Sequence, residues 1–137
     1  MAGWLVVELP LPPRALSPNA SNQRRGPHSA KSLAVAGYLE MVAMLVRSEV
    51  GLRGWSAPSC GLVSMVWGLK RGHWSLDPDM YFPGDPDNAV ASFKPGFDGM
   101  VLGGALEGDT WAHMVLGRIE STRAGGPWVR VTVEGLE

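Results

Sequence analysis

Cysteine is nearly absent. Cys60 stands alone in 137 residues, so the chain can form neither an internal disulfide nor a thiolate metal cluster, a usage that suits a reducing cytoplasm. Histidine is almost as sparse, and the three present show no zinc-ligand spacing. No apolar run approaches the roughly 18 residues of a membrane span. The opening MAGWLVVELPLPP lacks a signal peptide's basic head and long apolar centre, and reads instead as a first strand. No Ser-His-Asp spacing and no phosphate-loop glycine pattern occurs, which removes two common enzyme classes. No repeat, linker or low-complexity tract interrupts residues 1–137, so a single domain with its own core is expected.

Net charge is also lacking: 12 Lys and Arg against 13 Asp and Glu leave −1. That balance ordinarily argues against nucleic acid, because affinity for phosphate backbones comes from Lys and Arg. The average, however, conceals a division. From Asp77 to Asp109 there are seven acids and one base, Lys94, whereas the rest of the chain holds eleven bases and six acids. A basic body around one acidic pocket is an arrangement that suits nucleases, the body taking phosphates and the pocket metal ions. Charges scattered evenly over a surface are the competing explanation.

Periodicity outlines the elements. Trp4 to Leu9 is strand-like and ends at Pro10; Ser17 to Ser29 is a loop rich in turn formers, with Arg24 and Arg25 adjacent. Between Lys31 and Val50, Val35, Leu39, Val42 and Val46 form one helical stripe that Ser29 is placed to cap. In CGLVSMVWGLKRG a wholly apolar set (Val63, Met65, Trp67, Leu69) alternates with a mixed one, as in a strand with one covered face. A second helical pattern from Asn88 uses Val90, Phe93, Phe97 and Val101; Pro95-Gly96 is expected to kink or divide it, and Gly103-Gly104 to stop it. Two strands, about Asp109 to Glu120 and Trp128 to Glu134, flank a Gly-Gly-Pro turn and read as a hairpin. The order β-α-β-α-β-β predicts an α+β fold, a mixed sheet with two main helices on one side.

The acids contain two Asp-Pro-Asp tripeptides, Asp77 to Asp79 and Asp85 to Asp87. In an extended backbone residues i and i+2 point the same way, so either pair is able to offer two carboxylates to one cation. Asp85 and Asp87 are favoured: Asn88 follows, and Lys94 and Asp98 lie seven and eleven residues beyond Asp87, close to one face of an unbroken helix. Neither tripeptide continues as a calcium EF-hand loop. Phosphodiester hydrolysis calls for hard oxygen ligands around Mg²⁺ and a cation near the phosphate. Asp85, Asp87 and Asp109 are candidates for the first and Lys94 for the second.

In its ordered motif the chain resembles the RusA family of Holliday junction resolvases of phages and prophages. The family signature is Asp-x-Asp-Asn, a lysine in the following helix, an aspartate just after it, and an acid or Asp pair opening the next strand. DPDNAVASFKPGFDGMVLGGALEGDTW supplies Asp85, Asp87, Asn88, Lys94, Asp98 and Asp109 in that order. The amino-terminal strand, the Ser17-Pro18-Asn19 turn and the basic loop agree as well, so the resemblance covers nearly the whole chain. Two departures stand out. Lys94 follows Asp87 by seven residues rather than the family's minimum of four, about one extra helical turn of roughly 4.5 Å. Where many relatives carry two aspartates, Gly108-Asp109 stands, with Glu107 before it. The resemblance implies a RusA-like fold and a homodimer cutting four-way junctions by paired nicks. It implies Mg²⁺, with Mn²⁺ as substitute, held by Asp85, Asp87 and Asp109; Asn88, Asp98 and Glu107 would stand behind these ligands. The setting would be the cytoplasm of a bacterial cell, in recombination, repair or phage DNA processing.

For DNA contact the candidates are Arg24, Arg25, Lys31, Lys70 and Arg71. His28 and His73 are weaker ones, and Trp74 and Trp111 are able to stack on bases. His113 and Cys60 read as packing residues. Two alternatives remain open: a non-catalytic DNA-binding or packaging accessory protein, or a nuclease preferring flaps, forks or other branched DNA.

Overall fold

The computed structural model describes residues 3–18, 29–70 and 78–136. In chain order these form β1 (Trp4–Leu9), a 3-10 turn (Arg14–Leu16), α1 (Ala30–Arg53), β2 (Cys60–Gly68), α2 (Pro86–Ser92), α3 (Lys94–Leu102), β3 (Met114–Thr122) and β4 (Trp128–Leu136). The architecture is α+β, with three helices and one mixed four-stranded sheet in the order β1-β4-β2-β3. β2 and β3 run parallel, while β4 is antiparallel to both β1 and β2. No helix among the described residues is long and apolar enough to cross a membrane.

Strand alternation decides which face is covered. Leu5, Val7 and Leu9 of β1, Val63, Met65 and Trp67 of β2, and Val129, Val131 and Val133 of β4 are buried in one core, while their neighbours on the strands point the other way. α1 begins as expected: Ser29 Oγ accepts from the Ser32 amide at 3.0 Å. It ends at Gly54, whose φ of 62° is the left-handed conformation that favours glycine at a helix terminus. Val42 and Val46 are buried as the stripe predicts, together with Tyr38. The Tyr38 hydroxyl donates to the Pro10 carbonyl at 2.7 Å, and burial pushes its phenol far up from the ordinary value.

The second helical pattern divides where Pro95-Gly96 predicts, leaving α2 and α3 in place of one helix. Phe93 occupies the break, fully buried, and makes edge-to-face contacts with Tyr38, Trp67 and Phe97 at centroid distances of 6.2, 6.1 and 5.0 Å. Its ring lies where a side chain at Gly96 would begin, since a Cβ there would run into Phe93 Cζ.

One expected element is not there. β3 and β4 are not a hairpin, because β2 lies between them. The parallel β2–β3 pair, joined through α2 and α3, leaves the other edge of β2 open, and the apolar alternation of β4 makes it the strand to bury there. The connection crosses the end of β2 in close contact: a Cβ on Gly68 would lie 2.7 Å from the Gly125 carbonyl oxygen. The glycines read as a tight turn instead serve this close backbone approach. β3 also starts later than expected, at Met114, so Asp109 lies in the turn before the strand rather than opening it.

Candidate catalytic site around Lys94

Asp85 to Asn88 form the start of α2. Asp85 is the N-cap; its Oδ1 accepts from the Asn88 amide at 2.9 Å and its Oδ2 from Asn88 Nδ2 at 3.2 Å. Pro86 takes the first turn, where a missing N–H costs nothing, and Asp87 sits where the helix dipole favours negative charge. Asp85-Pro86-Asp87-Asn88 is therefore a complete helix-start signal. The extended-strand argument for two parallel carboxylates does not hold here, since Asp87 is already helical. The preceding segment is anchored to the chain after β1: Arg14 Nε donates to the Pro78 carbonyl at 2.8 Å, and the Tyr81 amide to that of Pro12 at 2.9 Å.

Lys94 heads α3. The break at Phe93 separates it from Asp87, so their common helical face does not exist. What gathers the site is tertiary. Lys94 Nζ donates to Asp98 Oδ1 at 3.1 Å and to Asp109 Oδ2, across 15 residues of chain. The hydrogen bond from Lys94 holds the Asp109 carboxyl below its usual range, and the same bond from Asp109 raises the Lys94 ammonium, against some desolvation. Both groups therefore stay charged across the neutral range.

Lys94 and Asp98 share the wall of a cavity of about 330 Å³ with Lys31 from the first turn of α1, so one candidate for phosphate contact stands beside the candidate catalytic lysine. Asp85 belongs to a separate cavity of about 120 Å³, lined also by Trp67, Ala89, Ile119 and Ser121. Trp67, read from sequence as a core strand residue, is buried with its indole N–H unpartnered among the described residues. A tryptophan in a run of aliphatic residues carries a donor that needs an acceptor, and that was the available signal.

Glu107 lies beside His113, 3.8 Å from its Nδ1, and His113 Nδ1 faces the Ser59 carbonyl oxygen at 3.0 Å. Gly108 is constrained by the same ring: a Cβ there would approach His113 Cδ2 to 2.7 Å. Trp111 is 97% exposed in the turn after Asp109. Lys70 is exposed at the end of β2. Arg24, Arg25, His28, Arg71, His73, Trp74 and Asp77 lie outside the described residues.

The donor set suits a hard cation by its chemistry but is not gathered into a cage. Among the described residues no three His, Cys, Asp or Glu side chains are placed to hold one metal ion. Asp109 is taken by Lys94, and both Asp85 oxygens by Asn88. No family model matches the chain, and no curated protein does.

Proposed function

We propose that this chain is a structure-selective endodeoxyribonuclease of RusA type, resolving four-way DNA junctions by paired nicks in the cytoplasm of a bacterial cell. The observation that carries the proposal is the contact of Lys94 with both Asp98 and Asp109. Lys94 and Asp98, one helical turn apart, meet Asp109 from 15 residues further along the chain, and the first two line a cavity with Lys31. Lys94 would stabilise charge on the scissile phosphate. Asp85, Asp87 and Asp109 are the residues that would hold Mg²⁺, or Mn²⁺ in its place, which would polarise a phosphoryl oxygen and activate water; they are not gathered in the structure, where Asp109 is bonded to Lys94 and Asp85 to Asn88. An aspartate at Gly108, where many members of the resembled family carry one, would require the His113 ring to move.

The test is nicking of a fluorescent four-way junction with Mg²⁺ or EDTA, with flaps and forks run alongside. Metal-dependent paired nicks are expected, abolished by Asp87→Asn with junction binding retained. Full cleavage by that variant would remove the metal assignment. One specific observation favours a second reading, a non-catalytic DNA-binding or packaging protein: Asp85 and Asp87 already have a structural use as a helix start. Junction binding without nicking in any divalent metal would select it.

A further inference from the structure

Trp111 is 97% exposed, more than any other large apolar side chain among the described residues. A loose backbone does not explain it, because the turn that carries it is pinned on both sides. The Thr110 carbonyl accepts from the His113 and Met114 amides at 3.0 Å each, and the His113 carbonyl accepts from the Gly61 amide at 2.9 Å, next to the start of β2. His113 adds a side-chain tie, its Nδ1 lying 3.0 Å from the Ser59 carbonyl oxygen. The indole belongs to neither the core nor the half-buried shell around it, and among the described residues it makes no ring or cation contact. A well-held turn thus presents to water a large flat side chain that the fold does not use, with only two side-chain torsions left to fix on binding.

The place of the turn gives that exposure a meaning. Asp109, which receives Lys94, precedes Trp111 by two residues, so their Cα atoms are at most about 7 Å apart. The ring therefore stands within reach of a base whose own phosphate is held at Lys94. From Glu107 to His113 the turn contains two acids and neither lysine nor arginine. Phosphate attraction cannot bring it to DNA, whereas stacking can, since every base has a π-face.

We propose that Trp111 stacks on a base left uncovered where DNA branches, and so gives the site a preference for branched over continuous DNA. In an uninterrupted duplex both faces of each base are covered by its neighbours, and an inserted side chain must first unstack a step. Where arms part, the last pair of an arm turns one face to water, and the indole covers it without that cost. Junctions, flaps and forks all offer such a face, so the choice among them falls to other contacts. The inference rests on the nuclease reading, whose Lys94 site holds the phosphate beside the ring.

The test is binding in EDTA, where no metal-dependent nicking occurs, read by fluorescence anisotropy on a four-way junction and on a linear duplex of the same arm sequence. Trp111→Ala weakens junction binding by about 5- to 100-fold and leaves duplex binding unchanged, while Trp111→Phe recovers most of the loss. The salt dependence of junction binding stays as in wild type, because no phosphate contact is removed. 2-Aminopurine at the branch point is quenched by wild type and not by Trp111→Ala. Thermal melting of both variants stays close to wild type, which separates lost stacking from lost fold. Equal losses on junction and duplex, a shallower salt dependence, a Trp111→Phe as weak as Trp111→Ala, or a Trp111→Ala that binds and quenches like wild type would each overturn the inference. Nicking in Mg²⁺ is scored separately. A wild type that nicks beside a Trp111→Ala that binds normally sinks the stacking and keeps the nuclease reading; a wild type that holds the junction through Trp111 and never nicks does the reverse.

Discussion

Replacing Gly99 by Ala sets two physical effects against each other. As a helix residue, alanine is better than glycine by about 1 kcal/mol, so propensity alone predicts stabilisation. Packing predicts the reverse. α3 lies against α1, and a Cβ on Gly99 would stand 2.7 Å from the Leu39 carbonyl oxygen and 2.8 Å from Val42 Cβ. These are backbone and branch-point atoms that cannot swing aside. Reaching ordinary contact near 3.4 Å requires α3 to move off α1 by several tenths of an ångström, and Val42 has no space to follow. Overpacking of this kind costs about 1–3 kcal/mol. The net expectation runs from neutral to destabilisation by about 2 kcal/mol, a fall in Tm of up to roughly 10 °C in a domain of this size. Gly37 provides the control: it lies in α1 with nothing within 4 Å of an added Cβ. Gly37→Ala should raise stability by about 0.5–1 kcal/mol. Calorimetry of the two variants reads both effects. If Gly99→Ala stabilises as Gly37→Ala does, the close contact of α1 with α3 is wrong, and with it the placement of Lys94 and Asp98.

Lys94→Met should lower stability by no more than about 1 kcal/mol, since the lysine itself is largely exposed, and should do so within a defined pH window. Asp109 has a lowered pKa, so its share is present above its unfolded value near 3.9 and is lost as pH falls through the folded one. Lys94 has a raised pKa, so its share is present below about 10.4 and is lost as pH rises through the folded value. Denaturant titrations of both proteins should therefore differ at neutral pH and converge at the acid and alkaline extremes; a constant difference would refute the ion pair. Asp85→Ala should cost about 1 kcal/mol through loss of the helix cap, whereas Asp85→Asn retains the cap. If both lose nicking equally while only the first loses stability, the carboxylate has a chemical role beyond its structural one.

Local signals and tertiary ones were legible to different degrees. β1 was readable to the residue, and α1 to within a few, because alternation and a serine cap are properties of a short window. The division of the second helix was readable because Pro95-Gly96 breaks backbone hydrogen bonding wherever it falls. The strand order was not, since Gly125-Gly126-Pro127 serves a tight turn and a close crossing over Gly68 equally well. The same ambiguity runs through the candidate site. Asp85-Pro86-Asp87-Asn88 is both an acidic motif and a helix start, and no spacing rule within it separates the two. The contact that bears on chemistry joins Lys94 to Asp109, residues whose nearness depends on how α3 packs on α1 and where the chain turns before β3. Lys94 contacts Asp98 and Asp109 and not the capping Asp85, so the lysine cluster and the helix start are two separate uses of the acids. Comparing Asp85→Asn with Lys94→Met therefore tests each of them against nicking on its own.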